Sequence, residues 1–213
     1  MGILSGALTV RRFRVVGDIP GNWRTSFADR FDAYAWNERA KASEERGDST
    51  SGKAEIEGWV QIHNLLDIEF DDPTRWLYQN YVIFSLRVDK KTLPAQLLKA
   101  TVAKRCEAWC KEQGVERCPS AVKKQVKEAI EAEWLERALP RVAITECCWN
   151  VTDGWLLLHS LSEATADRFR KRFLRTFGLK LVPSSPLDWL ADEDQREHLL
   201  GTAPAVLIDA KAN

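Results

Sequence analysis

Apolar positions along the chain fall into short alternating runs and longer repeats of three and four, a pattern that predicts strands interleaved with amphipathic helices. Residues 3–16 read as a strand, with Leu8, Val10 and Arg12 alternating against Ala7, Thr9, Arg11 and Phe13. The turn cluster at 17–22 follows, and Asn22 is placed to cap a helix. From Trp23 to about Ala42, the residues Trp23, Phe27, Phe31, Tyr34 and Ala35 recur at helical spacing, so one aromatic stripe faces a core. Residues 44–53 are polar, carry Gly47 and Gly52, and read as an exposed loop. Residues 58–62 form a short strand, and residues 81–88, rich in β-branched and aromatic side chains, form the clearest one.

Pro94 then opens a helix whose apolar side is Leu97, Leu98, Val102 and Trp109. Gly114 and Pro119 break it, Ser120 caps a second helix over about 121–139, and Pro140 ends that one. Residues 147–151 and 155–159 flank Thr152-Asp153-Gly154, where the Asp-Gly pair marks a hairpin turn. A third helix over 162–177 stops at Gly178, and 180–182 make a last short strand. Beyond Pro183 the chain is rich in Pro, Ser and acid, with Leu187, Trp189 and Leu190 as its anchors. The order β-α-β-β-α-α-β-β-α-β belongs to the α+β class.

Composition narrows this picture. The 213 residues are 45% hydrophobic and include nine Trp and eight Phe, enough for one sizeable core or two lobes sharing one. No apolar run reaches the roughly 18 residues that a membrane span needs. The first ten residues have the apolar look of a leader, but no basic residue precedes them and Arg11, Arg12 and Arg14 follow; a buried first strand and a cytoplasmic protein are expected. The five cysteines (106, 110, 118, 147 and 148) are odd in number and two are adjacent, which suits a reducing compartment rather than a disulfide framework. Cys106 and Cys110 would share a helix face with Cys118 nearby. Without a second metal-spaced pair, small buried apolar side chains are a better reading than zinc ligands.

Charge is balanced overall, 31 basic against 31 acidic residues, but it is segregated. Residues 87–127 hold eleven Lys/Arg against four Asp/Glu, a net of +7. Residues 168–180 hold six basic residues and no acid, whereas 188–209 hold six acids and one Arg. Arg168, Arg172 and Arg175 would form one stripe opposite Phe169, Phe173 and Phe177. Such like-charged neighbours repel by a few tenths of a kcal/mol per pair, so the stripe requires a compensating partner. Phosphate backbones are the commonest ligand for a basic face; solubility alone is the alternative.

Signs of catalysis are lacking. His63, His159 and His198 sit in no metalloprotease-like spacing, there is no G-x-S-x-G elbow, and the glycines are scattered singly. Asp67, Glu69, Asp71 and Asp72 read as a solvated turn, and Glu128, Glu131 and Glu133 as a solvated helix face. No catalytic residue, metal or cofactor is expected. A metal-dependent nuclease assembled from acids such as Glu131 and Asp153 is the remaining enzymatic reading.

Six short motifs in order resemble the RdgC family of recombination-associated proteins. They are Leu8-Thr9-Val10-Arg11-Arg12, Gly58-Trp59-Val60, Asp89-Lys90-Lys91-Thr92-Leu93-Pro94, Ala138-Leu139-Pro140-Arg141-Val142, the Trp strand and hairpin from Trp149 to His159, and Leu179-Lys180-Leu181-Val182-Pro183. The resemblance covers about residues 5–186. It implies an antiparallel sheet with packed helices, a central α+β domain over 1–88 and 141–186 and a projecting helical finger hairpin over 89–140; the acidic tail over 187–213 is this sequence's own. It implies a nucleoid-associated protein without enzymatic activity that binds double-stranded DNA with little regard to sequence and restrains RecA-type recombination. The recombinase or another recombination protein is then a second partner. Family members pair into a ring around DNA, and by position the lining would be Lys90, Lys91, Lys99, Lys104, Arg105, Lys123, Lys124, Arg168, Arg172 and Arg175. RdgC proteins continue past the position of Pro186, where this sequence has a short acidic tail. An open homodimer joined at the hairpin and a monomer are therefore alternatives to the ring. The tail could mimic DNA toward another protein or fold onto the basic face. A protein–protein adaptor that keeps the fold without the DNA role is the alternative function.

Overall fold

The computed structural model describes residues 2–4, 6, 8–36, 55–185, 190 and 193–201. Strands β1 (Arg11–Val16), β2 (Glu55–Val60), β3 (Leu77–Tyr78), β4 (Tyr81–Lys90), β5 (Arg141–Asn150), β6 (Trp155–Leu158) and β7 (Lys180–Pro183) form one sheet. Its order is β2-β4-β5-β6-β1-β7, with β3 paired to the start of β4 and every ladder antiparallel. The helices are α1 (Trp23–Ala33), α2 (Ala95–Gln113), α3 (Ser120–Arg137), α4 (Glu163–Phe177) and α5 (Glu193–Gly201). The class is α+β, as the hydrophobic pattern predicts.

The core forms where α1 and α4 lay their aromatic stripes on one face of the sheet. α4 starts at Ser162, whose hydroxyl accepts from the Thr165 N–H at 3.4 Å, and stops at Gly178, left-handed at φ 72°. Between these caps Phe169, Phe173 and Phe177 recur every four residues and are buried. Phe177 lies near the centre. Its ring is 4.8–6.3 Å from those of Phe27, Phe31, Trp59, Phe84, Trp149 and Phe173. Strand alternation brings Val82, Phe84 and Leu86 of β4 to the same face, with Trp59 of β2 opposite Leu86.

That alternation also sends Arg87 and Asp89 to the other face of β4, where both are buried. They answer each other with two hydrogen bonds of 2.7 Å, from Arg87 Nε and Nη2 to the two Asp89 carboxylate oxygens. Arg87 Nη1 donates to the Leu65 carbonyl at 3.0 Å, and the guanidinium stacks 3.7 Å from the Trp36 ring centroid. Gly58, paired with Arg87, makes room for this arrangement: a Cβ there would stand 2.2 Å from the Trp36 Cα. The Gly-Trp-Val motif thus has two physical duties, close backbone approach at Gly58 and core filling at Trp59.

β4 and β5 pair without a break from Tyr81↔Asn150 to Lys90↔Arg141. Helices α2 and α3 are the connection between them, a helical hairpin leaving the sheet where that ladder ends. It has a small core of its own, Val102, Cys106 and Ile130, flanked by Leu98, Cys118, Val126 and Trp134.

Several boundaries differ from those read in the sequence. The first strand begins at Arg11 rather than residue 3, because β6 and β7 offer partners only from there; Leu8 is exposed. α1 ends at Ala33, short of Ala42, because the chain turns to run beside β2: Trp59 donates to the Tyr34 carbonyl and Trp36 to the Trp59 carbonyl. Residues 37–42 of that expected helix, and the expected loop at 44–53, lie outside the described residues. β2 starts and ends earlier than 58–62. Pro119, not Ser120, is the N-cap of α3, and Asn22 caps α1 through its carbonyl rather than its side chain. β5 begins six residues before Cys147; its first four residues are exposed, so no core-facing alternation announces them. A helix, α5, stands within the expected tail.

Replacing Phe177 by Ala is expected to cost about 3–5 kcal/mol, since the cavity opens among six rings. Gly58→Ala is expected to cost at least about 2 kcal/mol, because the obstructing atoms are backbone. Urea unfolding measures both; a loss under about 0.5 kcal/mol in either would contradict this packing.

Candidate nucleic-acid interface

The ten basic residues singled out in the sequence divide between two places. Lys90, Arg168, Arg172 and Arg175 belong to the region where α4 meets β2. Lys91, Lys99, Lys104, Arg105, Lys123 and Lys124 belong to the hairpin or its root.

At α4 the required compensating partner exists, and it is β2. Glu55 and Glu57 project from the face of β2 that α4 covers. Glu55 pairs with Arg168 and, at 3.3 Å, with Lys90. Glu57 lies 3.8 Å from Arg172. Arg172 is only 6% exposed and donates to the carbonyls of Tyr34 and Glu57 at 3.2 and 3.1 Å, with its guanidinium 5.3 Å from the Tyr34 ring. Of the expected stripe, Arg175 is exposed and Arg168 half-buried, whereas Arg172 is buried. Strand register sets the Glu57 carbonyl beneath the middle of α4, and the central arginine is drawn inward to it. The surrounding cleft, about 430 Å³, is lined by Glu55, Glu57 and Asp167 as well as by Arg168, Lys171 and Arg175. Its field is largely self-cancelling.

The hairpin differs. Some of its cations are spoken for: Arg105 pairs with Glu133 at 3.1 Å, Lys124 with Glu128 at 3.8 Å, and Lys127 with Glu131 at 3.6 Å. Lys91 donates to the Leu135 carbonyl at 2.8 Å, serving the open end of α3. Lys99, Lys104, Lys111, Arg117 and Lys123 make no ion pair among the described residues, and all are exposed. A cleft of about 900 Å³ runs along the groove between α2 and α3. Its floor is apolar (Leu98, Val102, Ala103 and Cys106), and its rim carries Lys91, Lys99, Arg117, Lys123 and Lys127 against the single acid Glu131. One wall is the i, i+4 series Lys123, Lys127, Glu131, Leu135 on α3. Lys104, Arg105 and Lys124 do not line it. Arg117 was not singled out in the sequence, since nothing local distinguishes a loop arginine; its position between two clefts is tertiary.

The acid-rich stretch before β3 works as turn architecture. Asp72 accepts from the Thr74 N–H at 3.0 Å and its hydroxyl at 2.7 Å, bonds that hold its carboxyl below the ordinary range. Asp67 pairs with Arg75. Glu131 is tied to Lys127, and Asp153 accepts from Asn150 at 2.8 Å in the β5–β6 turn, on a separate element. Among the described residues no three His, Cys, Asp or Glu side chains converge as metal ligands would, and no helix is long and apolar enough to cross a membrane.

These environments predict opposite responses to neutralisation. Arg172→Met is expected to lower stability by about 2–4 kcal/mol, because two carbonyls and Glu57 lose a buried donor. Lys99→Met and Lys123→Met are expected to stay within about 0.5 kcal/mol of the parent. Thermal or urea denaturation distinguishes them.

Comparison with known proteins bears on the family. No curated protein matches the chain. The family model described as “Putative exonuclease, RdgC” matches residues 48–196, which run from before β2 into α5 and take in the whole hairpin. With that match spanning well over half of its length, the chain belongs to the RdgC family.

Proposed function

We propose that this protein binds double-stranded DNA through its helical hairpin, without strong sequence preference and without enzymatic activity, and that it acts in RecA-type recombination. The observation that carries this reading is the set of exposed cations on the hairpin that make no ion pair among the described residues: Lys99, Lys104, Lys111, Arg117 and Lys123. Each can neutralise a phosphate and release a counterion, whereas Arg168 and Lys90 must first give up Glu55. The hairpin cations are long, solvated and not accompanied by an Asn/Gln pattern for base edges, which favours backbone contacts over base reading.

The apolar floor of the 900 Å³ cleft favours a second reading, a protein partner gripped by the hairpin. The nuclease activity in the family's description is a third. Both are separable from the first by experiment.

Fluorescence anisotropy of labelled duplex and single-stranded DNA, titrated at several salt concentrations, tests the proposal. Expected is duplex binding that weakens steeply with salt. The double variant Lys99→Glu, Lys123→Glu should weaken it at least about tenfold and flatten the salt slope by about 2, one per lost phosphate contact. Glu55→Gln leaves the hairpin alone and should change affinity less than about threefold. Equal affinity of the double variant and the parent would remove the hairpin from the interface. Magnesium-dependent shortening of the labelled strand would replace the non-enzymatic reading with the nuclease.

A further inference from the structure

The far end of the hairpin holds three of the five cysteines, and DNA binding has no use for them. Cys106 sits on the inner side of α2, buried with Val102 and Ile130. Cys118, in the turn leading to α3, is half-buried and packs against that same cluster. The two side chains border both hairpin clefts, the large one and a smaller one of about 600 Å³, so together they form the wall between them. Gly114, left-handed at φ 66°, caps α2 and turns the chain back so that Cys118 returns to the level of Cys106. Cys110, one turn along α2, borders only the smaller cleft. Cys147 and Cys148 are remote, on β5 of the sheet.

We propose that Cys106 and Cys118 are a redox pair that closes to a disulfide, stapling α2 to the entrance of α3. The reaction needs a low-molecular-weight disulfide as oxidant. Cys118, the more accessible, attacks it as a thiolate and expels one small thiol, leaving a mixed disulfide on its Sγ. Cys106 Sγ then attacks Cys118 Sγ and expels the second. One external disulfide is reduced to two thiols, one internal disulfide forms, and the two protons lost by the cysteines end on the released thiols. Burial and the neighbouring Cys118 raise the Cys106 thiol above its usual range, while Lys123 opposes them. Each of the two attacks needs a thiolate, so closure quickens as the pH rises. The staple would immobilise the turn that carries Arg117 between the two clefts. The inference stands whether or not the hairpin binds DNA, because its readout is chemical.

The full chain is incubated with oxidised glutathione at pH 7 and pH 8, blocked with iodoacetamide and mapped by mass spectrometry without reduction. Expected is a Cys106–Cys118 linked peptide pair, lighter by two hydrogens, formed faster at pH 8 than at pH 7 and reversed by dithiothreitol. It should persist in Cys110→Ser and vanish in Cys118→Ser, with circular dichroism confirming that both variants keep their helices. Alkylated Cys106 beside glutathionylated Cys118 would overturn the proposal. So would a bridge that engages Cys110, or one that forms only between two chains.

Discussion

Everything in the sheet domain depends on the aromatic face of α4 being pressed onto one side of an antiparallel sheet. Phe177 alone touches rings from α1, β2, β4, β5 and its own helix. Burial of such rings is the largest favourable contribution available to a chain of this composition. It also dictates what the remaining positions must do. Once Phe169, Phe173 and Phe177 point inward, Arg168, Arg172 and Arg175 necessarily lie along the border of the same helix, close to β2. Glu55 and Glu57 are there to receive them because strand alternation puts residues 55, 57 and 59 on one face.

That packing has an electrostatic consequence. A positive helix lying on a strand with two glutamates becomes a nearly neutral seam, and its central arginine is consumed by backbone carbonyls. Among the described residues no acidic strand lies against the hairpin. It leaves the sheet at the end of the β4–β5 ladder, keeps a small core of its own, and shows its remaining lysines to water. The sheet and its aromatic core carry most of the stability, and charges on the hairpin surface can change without disturbing a buried partner. The opposite holds at Arg87 and Asp89, where a buried bidentate pair under Trp36 makes either residue costly to lose.

Much of this was legible from residue pattern. α4 could be read with both its ends, because Ser162 and Gly178 are cap residues and the Phe spacing is regular. The hairpin helices could be read because Pro94, Gly114, Pro119 and Pro140 punctuate them. The RdgC resemblance rested on motifs whose physical basis the fold supplies, Gly58 for close approach and Trp59 for the core. Boundaries shift where partners rather than propensity decide: at β1, which begins only where β6 and β7 can pair with it, and at β5, whose exposed start pairs with β4. α1 is shorter than its residue pattern predicts because the edge of β2 takes the chain away from a helical path after Ala33.

The amino-acid sequence by itself determined the α+β class, the helical hairpin between two strands, the main aromatic positions and the segregation of charge. These are local or periodic properties, set by neighbours a few residues away. Which basic residues remain available was decided only by tertiary structure. Arg172 is as basic as Lys123 in the sequence, yet one is sealed against carbonyls 115 and 138 residues distant and the other stands in solvent. Formal charge is a property of the residue, whereas the field it presents depends on what folding brings within a few ångströms of it.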